Sequence, residues 1–377
     1  MSVLGICRTL LLGSALLSTA FMPAAQAKPY HVLHSFSGSD GSGPNGNLLL
    51  DGAGNLYGTT TTGGSFGDGT IFKLSPTGDF ALLHSFTGGS DGRVPETGLT
   101  LDPATGDLYG TTSGGGANGW GGVFKLTSAG ALVVLHDFNQ AADGTSPNAT
   151  LTRDAQGNFY GTTADDGAHG NGAVFELAAN GSFNILHAFG STEGRESVGR
   201  LLLHGTNLYG VTVEGGGGTG SIFEFALGGT FTTLYAMHAG EGLGGGVARD
   251  RKGNLYGAYF GDGNGYVYRL SPDGTTIPFY TFTGGADGRF PVGDMLLSNR
   301  NHELYGATAR GGAKGDNGTV FKLDLKGNFT LLHDFAGPPR DGTAPSGGLV
   351  EGRGKLYGTA NRGGSHDMGI IFAVSAK

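Results

Sequence analysis

The strongest constraint on the fold is a motif that returns seven times along the chain. The tetrad Asn55-Leu56-Tyr57-Gly58 recurs with its tyrosine at positions 109, 160, 209, 256, 305 and 357, so the period is near 50 residues. A second motif, Gly69-Thr70-Ile71-Phe72-Lys73-Leu74, follows each tetrad by about 12 residues. Self-similarity at a fixed period of this length is typical of folds built from repeated supersecondary units. The repeat therefore predicts seven equivalent units in one array.

Each repeat contains four short apolar runs. A third motif, Leu82-Leu83-His84-Ser85-Phe86, returns around His34, His136, His187 and His333, and a fourth apolar run precedes each tyrosine tetrad. The runs are rich in β-branched and aromatic residues and are separated by Gly, Asn and Asp, which is typical of strands joined by turns. No stretch of about 12 residues has the apolar periodicity of a helix. Each repeat is thus predicted to form a four-stranded antiparallel sheet.

Composition agrees with an ordered all-β chain. The 377 residues include 77 Gly, but they also include 23 Phe and 13 Tyr, which is far too many aromatic residues for a disordered polymer. Only 14% of the residues are charged, which disfavours long solvated helices. A period of three is absent, which excludes collagen, and a period of 50 residues disfavours a β-helix.

Seven sheets that each need to cover two faces can all do so by packing radially around one axis. The predicted fold is therefore all-β: a seven-bladed β-propeller of four-stranded antiparallel blades. A copy of the His motif at 30–36 opens the array, and a copy of the Phe motif at 370–374 ends it. The N-terminal strand is thus predicted to close the ring as the outermost strand of the last blade.

The first 27 residues have the pattern of a secretory signal peptide. Arg8 precedes an apolar run from Thr9 to Phe21, and Ala25-Gln26-Ala27 supplies the small residues of a cleavage site. We assign 1–27 to the signal peptide and 28–377 to the propeller, and we expect a secreted or periplasmic protein with no anchor after Lys377. The only cysteine, Cys7, lies in the cleaved segment, so neither disulfides nor thiol chemistry is expected.

Charge and hydropathy restrict the partners. The formal net charge is −8 and no basic run occurs, which argues against nucleic acid and anionic membranes. No second apolar stretch reaches the roughly 18 residues that a membrane helix needs, so no membrane insertion is expected. We expect a monomer without a cofactor or a metal. Calcium in the Asp-Gly turns after each His motif is a weaker alternative, because each turn offers one Asp and calcium takes about six to eight oxygens.

The motifs resemble a known family. L-Y-G-T-T-x-x-G-G, G-T-[IV]-F-K-L and L-L-H-x-F together are similar to the GloVer-type tandem-repeat family of secreted bacterial proteins, and the likeness covers nearly the whole chain after residue 27. The resemblance implies export and a repeat β-fold. It carries over no catalytic residue and no agreed activity.

Residues that recur in every repeat are interpreted as structural. The seven tetrad tyrosines are predicted to pack equivalently between blades, with each hydroxyl bonded to a backbone group. The motif histidines are predicted to be buried and hydrogen-bonded between neighbouring sheets. The functional residues are then expected where the copies differ.

The copies differ mostly in the connections between strands two and three and between strands four and one, which share one face of a propeller. Aromatic, basic and acidic side chains around a Gly-rich rim suit a sugar, since rings stack on sugar faces and arginines pair with uronate carboxylates. The candidate ligand-binding residues on this face are Trp120, Asp165, Arg195, Arg200, Tyr259, Asp262, Arg310, Arg362 and His366. The candidate catalytic residues are His169, His238, Asp166 and Glu241.

Three classes of function remain open at this point. The first is a module that binds an extracellular polysaccharide or oligosaccharide, with acidic glycans included. The second is an enzyme: a lyase with His169 or His238 as base and Arg195 or Arg200 neutralising a uronate, or a hydrolase with two carboxylates about 5–9.5 Å apart, drawn from Asp165, Asp166, Glu241 and Asp262. The third is a cell-surface scaffold that binds other proteins. No H-E-x-x-H or Walker motif occurs, which disfavours zincins and P-loop nucleotide enzymes.

Overall fold

The chain folds into seven antiparallel sheets. The computed structural model of the protein describes residues 30–214, 220–237, 242–261 and 263–377, so the predicted signal peptide lies outside the described residues. Six sheets have four strands in sequence order, with the first strand of each repeat innermost. The seventh has five strand segments, because its innermost strand is divided into two segments and its outermost strand comes from the N-terminus. The prediction of a seven-bladed β-propeller with four-stranded blades is confirmed.

Blades 1 to 4 contain strands β2 to β17. Their bounds, from the innermost strand outward in each blade, are β2 (Leu49–Leu50), β3 (Leu56–Thr60), β4 (Thr70–Leu74) and β5 (Phe80–Ser85); β6 (Thr100–Leu101), β7 (Leu108–Thr112), β8 (Gly122–Leu126) and β9 (Leu132–Asp137); β10 (Thr152–Arg153), β11 (Phe159–Thr163), β12 (Ala173–Leu177) and β13 (Phe183–Ala188); and β14 (Arg195–His204), β15 (Asn207–Glu214), β16 (Ser221–Ala226) and β17 (Phe231–Ala236).

Blades 5 to 7 contain the remaining strands. Their bounds are β18 (Ala248–Arg249), β19 (Leu255–Tyr259), β20 (Tyr266–Leu270) and β21 (Thr276–Thr281); β22 (Arg289–Leu297), β23 (Leu304–Arg310), β24 (Thr319–Leu323) and β25 (Phe329–Asp334); and β26 (Gly342–Pro345), β27 (Val350–Gly352), β28 (Lys355–Gly363), β29 (Ile370–Ser375) and β1 (Tyr30–Ser35). Within the described ranges the one helix is α1 (Gln140–Asp143), which is far too short to cross a membrane.

The N-terminal strand closes the ring, as predicted. β1 pairs antiparallel with β29, from Tyr30 opposite Val374 to Ser35 opposite Ile370. The Tyr30 hydroxyl donates to Asp341 Oδ1 at 2.5 Å, and the Tyr30 ring stacks on His333 of blade 6 with centroids 3.5 Å apart. The first strand therefore belongs to blade 7 through the ladder and contacts blade 6 through the Tyr30 ring.

The core consists of clusters between neighbouring blades. In one of them, Phe86 at the end of blade 1 meets Phe124 of blade 2 edge to face at 5.3 Å, and both rings are buried. The tetrad glycine makes room for this arrangement. A Cβ at Gly110 would lie 2.6 Å from Phe124 Cζ, so a side chain at this position collides with the ring. The Tyr-Gly pair of the repeat thus fixes where the next Phe motif packs.

The tetrad tyrosines pack between blades, but two expectations about them are wrong. Tyr109 stacks on Phe159 of the next blade at 4.1 Å. Most of the described tyrosine hydroxyls donate to a carboxylate of the preceding hairpin and not to the backbone, as Tyr57 does to Asp51 at 3.2 Å. The same kind of bond joins Tyr160 to Asp154, Tyr256 to Asp250 and Tyr305 to Glu303. Among these described hydroxyls, that of Tyr305 also donates to a backbone group, the carbonyl of Ala376. Burial is also unequal, since Tyr57 is partly exposed and Tyr305 is fully buried.

The motif histidines are half-buried, and they do not form the predicted hydrogen bonds between neighbouring sheets. His136 Nε2 lies 2.9 Å from Asp143 Oδ2 in the connection that follows its own strand, and its ring stacks on Phe183 of the next blade at 3.5 Å. The same contact between a histidine Nε2 and a carboxylate joins His34 to Asp40, His84 to Asp91, His187 to Glu193 and His333 to Asp341. The stack, and not a hydrogen bond, thus connects neighbouring sheets, and the carboxylate of the Asp-Gly turn is occupied by the histidine.

Candidate ligand site at the loop face

The two ends of the propeller differ in their connections. We call the end with the second-to-third and fourth-to-first connections the loop face, and the end with the short hairpins the hairpin face. On the loop face, the two kinds of connection are tied by isolated backbone bridges. They join Ser42 to Thr62, Arg93 to Gly114, Thr145 to Asp165 and Leu243 to Tyr259. These bridges hold the rim as a fixed frame around the axis.

The innermost strands surround an axial channel. At the loop face the channel opens into a cavity of about 210 Å³, here called the channel mouth, to which all seven blades contribute. A wider chamber of about 600 Å³ continues toward the hairpin face and shares Asn47, Arg200 and Asp294 with the mouth. The side chains that line the mouth are polar or small, and no aromatic residue is among the described ones that line it.

Two charged residues occupy equivalent positions of this ring. Arg200 and Asp294 each come directly before the buried apolar residue of an innermost strand, Leu201 and Met295. The other blades carry Asn47, Gly98, Thr150, Gly246 and Gly348 at this position. The sevenfold structure does not require a charge here, so the charges distinguish the mouth chemically from the rest of the repeat.

Asp294 is a fixed anion that ties several blades together. Its carboxylate accepts from Asn47 Nδ2 at 2.5 Å and from the Gly246 backbone N–H at 2.6 Å. The backbone N–H of Arg200 donates to both of its oxygens at 3.3 Å. These bonds from blades 1, 4 and 5 use most of the acceptor capacity of the carboxylate.

Arg200 presents its guanidinium to the channel. Its Nε donates to Thr152 Oγ1 at 3.3 Å, and its two terminal nitrogens have no acceptor among the described residues. The Arg200 side chain is accessible from the channel, and the channel walls surround it. This partial removal from water lowers the pKa of Arg200 below its ordinary value, although the negative charge of Asp294 opposes the shift. Arginine remains protonated in proteins, so the mouth contains a cation whose four terminal N–H donors have no acceptor in the described part of the chain.

Glu96 and Asn148 also line the mouth, and the sequence analysis did not single out either. Burial raises the pKa of Glu96, and Ser113 opposes this as a hydrogen-bond donor. Asn148 Oδ1 is buried without a hydrogen-bond partner among the described residues. The sequence did contain a signal for Glu96. It lies three residues before the buried Leu99, and the equivalent positions of blades 1 and 3 are the polar residues Asn45 and Asn148.

The candidates in blades 3 and 4 form one group on the rim. Arg195 pairs with Glu214, and the charges of Glu196 and Asp165 also raise its pKa. Asp166 accepts from Thr145 Oγ1 at 2.9 Å and has a left-handed backbone, φ +59°, so it shapes its loop. His169 is exposed in the same loop. The Arg195 guanidinium therefore already has a carboxylate partner.

The remaining described candidates lie apart on separate blades. Trp120 is 41% exposed on blade 2, whereas Tyr259 is buried in blade 5 and stacks on Tyr266 at 4.1 Å, so it is not a surface aromatic. Arg310 lies 3.7 Å from Asp316 in an exposed pair. Arg362 and His366 are exposed on blade 7. Of the candidate ligand-binding and catalytic residues, Arg200 is the one that the described structure places at the channel mouth.

Three candidates, His238, Glu241 and Asp262, lie outside the described residues. Within the described ranges, no group of three or more His, Cys, Asp or Glu side chains is arranged to hold a metal ion. In the Asp-Gly turns, the carboxylates instead accept from backbone and histidine nitrogens, as Asp143 does from the Asn139 N–H at 3.0 Å.

The fold and its sevenfold signature define a tandem-repeat β-propeller with a polar axial channel. The chain belongs to the Gloeobacter/Verrucomicrobia repeat family, whose model matches residues 13–219, 104–261 and 217–377. This confirms the family resemblance of the motifs. No curated protein sequence matches this chain significantly.

Solved structures share the fold at low sequence identity. Virginiamycin B lyase from Staphylococcus aureus is 13% identical with a TM-score of 0.63, and the match covers 93% of this chain and 99% of that one. An oligogalacturonate lyase in complex with manganese is 10% identical with a TM-score of 0.61, covering 93% and 94%. A puromycin hydrolase is 14% identical with a TM-score of 0.59, covering 87% and 52%. At these identities the likeness concerns the fold alone.

Proposed function

We propose that this chain is an exported glycan-binding propeller that holds an acidic sugar at the channel mouth. The observation that carries the proposal is the Arg200 guanidinium, whose terminal nitrogens face the channel without a described acceptor. A planar guanidinium pairs bidentately with a carboxylate, which is the group that distinguishes a uronic acid from a neutral sugar. The signal-peptide pattern of residues 1–27 supports export to where such glycans occur.

The other groups of the mouth suit sugar hydroxyls. Asn45, Asn148 and Glu96 offer side-chain donors and acceptors, and several glycines leave their backbone groups accessible. Asn148 Oδ1 gains a hydrogen bond if a hydroxyl donates to it, because it has none within the described protein. The mouth, at about 210 Å³, is smaller than the roughly 300–1,000 Å³ of common ligand pockets, so it suits one terminal sugar of a longer chain.

Calorimetric titration with matched glycans tests this assignment. Because one structural neighbour is an oligogalacturonate lyase, oligogalacturonates are the first acidic ligands to test, with a neutral oligosaccharide of equal length as reference. We expect saturable binding of the acidic ligand that Arg200→Gln weakens at least about tenfold, since a charge-assisted pair contributes roughly 1.5–3 kcal/mol.

The matched control is Arg340→Gln. Arg340 is an exposed arginine in the fourth-to-first connection before blade 7, on the same face but outside the mouth. The Arg340→Gln substitution should leave the affinity for the acidic glycan unchanged. Equal weakening by both substitutions, or equal affinity for neutral and acidic ligands, would refute the role of Arg200. Binding of a protein partner in place of any glycan would favour the scaffold class.

A second candidate function is acid–base catalysis at the same mouth, and Glu96 favours it. A carboxyl with a raised pKa in the same cavity as a cation is a combination that a lyase or a hydrolase uses for proton transfer. Incubation of the protein with polygalacturonate, followed by ultraviolet detection of unsaturated ends and by a reducing-end assay, distinguishes this function. Product that disappears in Glu96→Gln, while binding persists, makes the chain an enzyme; saturable binding without product makes it a binding module.

A further inference from the structure

A second cavity lies on the opposite end of the propeller, between blades 5 and 6 of the hairpin face. Its volume is about 300 Å³. Four cationic side chains of blade 5 line it, namely Arg249, Arg251, Lys252 and Arg269, and blade 6 contributes Ser298, Asn299 and His302. Such a concentration of positive charge is unexpected in a chain whose net charge is −8.

None of the four cations forms an ion pair with a described carboxylate, although the charge of Arg269 contributes to lowering the pKa of the exposed Asp273. The one hydrogen bond from these side chains to a described side chain joins Arg249 Nη1 and His204 Nε2 at 3.1 Å. Arg269 Nε is buried and has no hydrogen-bond partner in the described structure. Several cations of the repeat are paired with carboxylates, as Lys125 is with Asp107 and Lys322 with Glu303, whereas here four cations without such a pair lie around one cavity.

A comparison with equivalent positions in other blades shows why Arg269 has no ion pair with a carboxylate of its own hairpin. Lys125 and Lys322 occupy the position of Arg269 in blades 2 and 6, where they pair with Asp107 at 3.8 Å and Glu303 at 2.8 Å. Both carboxylates lie two residues before the tetrad tyrosine, and blade 5 has Asn254 there. Blade 5 therefore keeps the strand cation but has no carboxylate at this position; blade 1 has the same combination in Lys73 and Asn55, where the lysine lies over the Tyr57 ring.

One carboxylate, Asp250, lines the cavity, and it is occupied locally. It accepts from the Asn254 backbone and side chain, from the Lys252 N–H and from the Tyr256 hydroxyl, at 2.7–3.1 Å. Although burial raises its pKa, the bonds from Asn254 and Tyr256 outweigh this and keep the pKa of Asp250 below its usual value. The cavity thus keeps a surplus of about three positive charges when His302 is neutral.

We propose that this hairpin-face cavity binds a phosphate-bearing small molecule. A phosphate carries between one and two negative charges at neutral pH and offers several acceptor oxygens, which fits several convergent cations better than a single carboxylate does. The arginines supply paired donors, and the lysine supplies a compact charge. This site is independent of the acidic-sugar site, because Arg200 lines the loop-face mouth and not this cavity.

Titration of the full chain with pyrophosphate, with inorganic phosphate and with glucose 6-phosphate tests the site. We expect saturable binding of at least one of the three, with one site per chain. Lys252→Gln should weaken it at least about tenfold. The matched control Lys355→Gln removes an exposed lysine on the same face in blade 7 and should have no effect. The three ligands distinguish a free phosphate from a phosphate carried on a sugar.

Two further variants keep the test decisive. Arg251→Gln removes an exposed cation and should weaken phosphate binding without affecting folding. Arg251 is chosen in place of Arg269 because Arg269 is partly buried in a strand, where a substitution also affects packing. Arg200→Gln should leave phosphate binding intact, which separates this site from the loop face. The proposal is overturned if none of the three ligands binds saturably, or if Lys355→Gln and Lys252→Gln weaken binding equally.

Discussion

At the scale of single residues, Glu96 makes a prediction about pH. Because burial raises the pKa of Glu96, the folded chain binds this proton more tightly than the unfolded chain does. The stabilisation from this group is complete below the ordinary glutamate pKa and is lost as the pH rises through the raised value. Glu96→Gln should therefore melt about 1–2 °C higher than the wild type at pH 7, a small shift because the carboxyl is partly solvated, and the gap should close below about pH 4.

An acid of the opposite kind serves as control for that experiment. Hydrogen bonds from Thr77 and Ser75 lower the pKa of the exposed Asp79. Its contribution to stability is present above the ordinary aspartate pKa and is lost as the pH falls through the lowered value. Asp79→Asn should thus lower the melting temperature at pH 7 and have no effect at strongly acidic pH. A melting temperature of Glu96→Gln that falls below the wild type at pH 7 would contradict the burial of the Glu96 carboxyl.

A second residue-scale prediction concerns the tetrad glycine. Gly110→Ala places a Cβ only 2.6 Å from Phe124 Cζ, so the ring must move within a close-packed core. We expect a loss of roughly 1–3 kcal/mol in the free energy of unfolding, measured by urea denaturation. Gly52→Ala is the control, because nothing lies within 4 Å of a Cβ there. Equal unfolding midpoints for the two variants would mean that the Phe motif does not pack on the glycine.

At the scale of elements, β1 is predicted to be essential for the closed ring. A chain that begins at Gly41 lacks β1 and the buried Phe36, so β29 becomes an exposed edge that invites aggregation. It should melt at a lower temperature than a chain that begins at residue 28. Tyr30→Phe isolates one contact, the hydroxyl bond to Asp341, and should cost about 1.5–3 kcal/mol as a bond to a charged group. Cooperative melting of the shortened chain at an unchanged temperature would disprove closure by β1.

The strands, their order and the closure followed from sequence, because period and turn residues are local and repeat seven times. The partners of the repeated side chains did not follow. Tyr57 was expected to bond to the backbone, but it bonds to Asp51, six residues earlier in the same hairpin. Tyr259 was expected on the surface, but β19 extends to it and Tyr266 covers it. Both outcomes depend on packing across strands, which a period does not specify.

At the scale of the whole molecule, the ring brings together residues that are far apart in the chain. Arg200 and Asp294 are 94 residues apart, yet they meet at one channel mouth. The sequence singled out Arg200 because it breaks the repeat, but it missed Glu96, which follows an Asp-Gly turn and a proline like an ordinary loop residue. Loop variability identified a face, and only the closed ring shows which residues of that face converge on the axis.

A crystal structure of the protein with a bound oligogalacturonate is the most direct test of an acidic-glycan site at the channel mouth. We expect a terminal uronate in the mouth, with its carboxylate within about 3 Å of the Arg200 terminal nitrogens and a hydroxyl donating to Asn148 Oδ1. A glycan bound on the rim beside Trp120, or at the hairpin face, with no contact to Arg200, would contradict it.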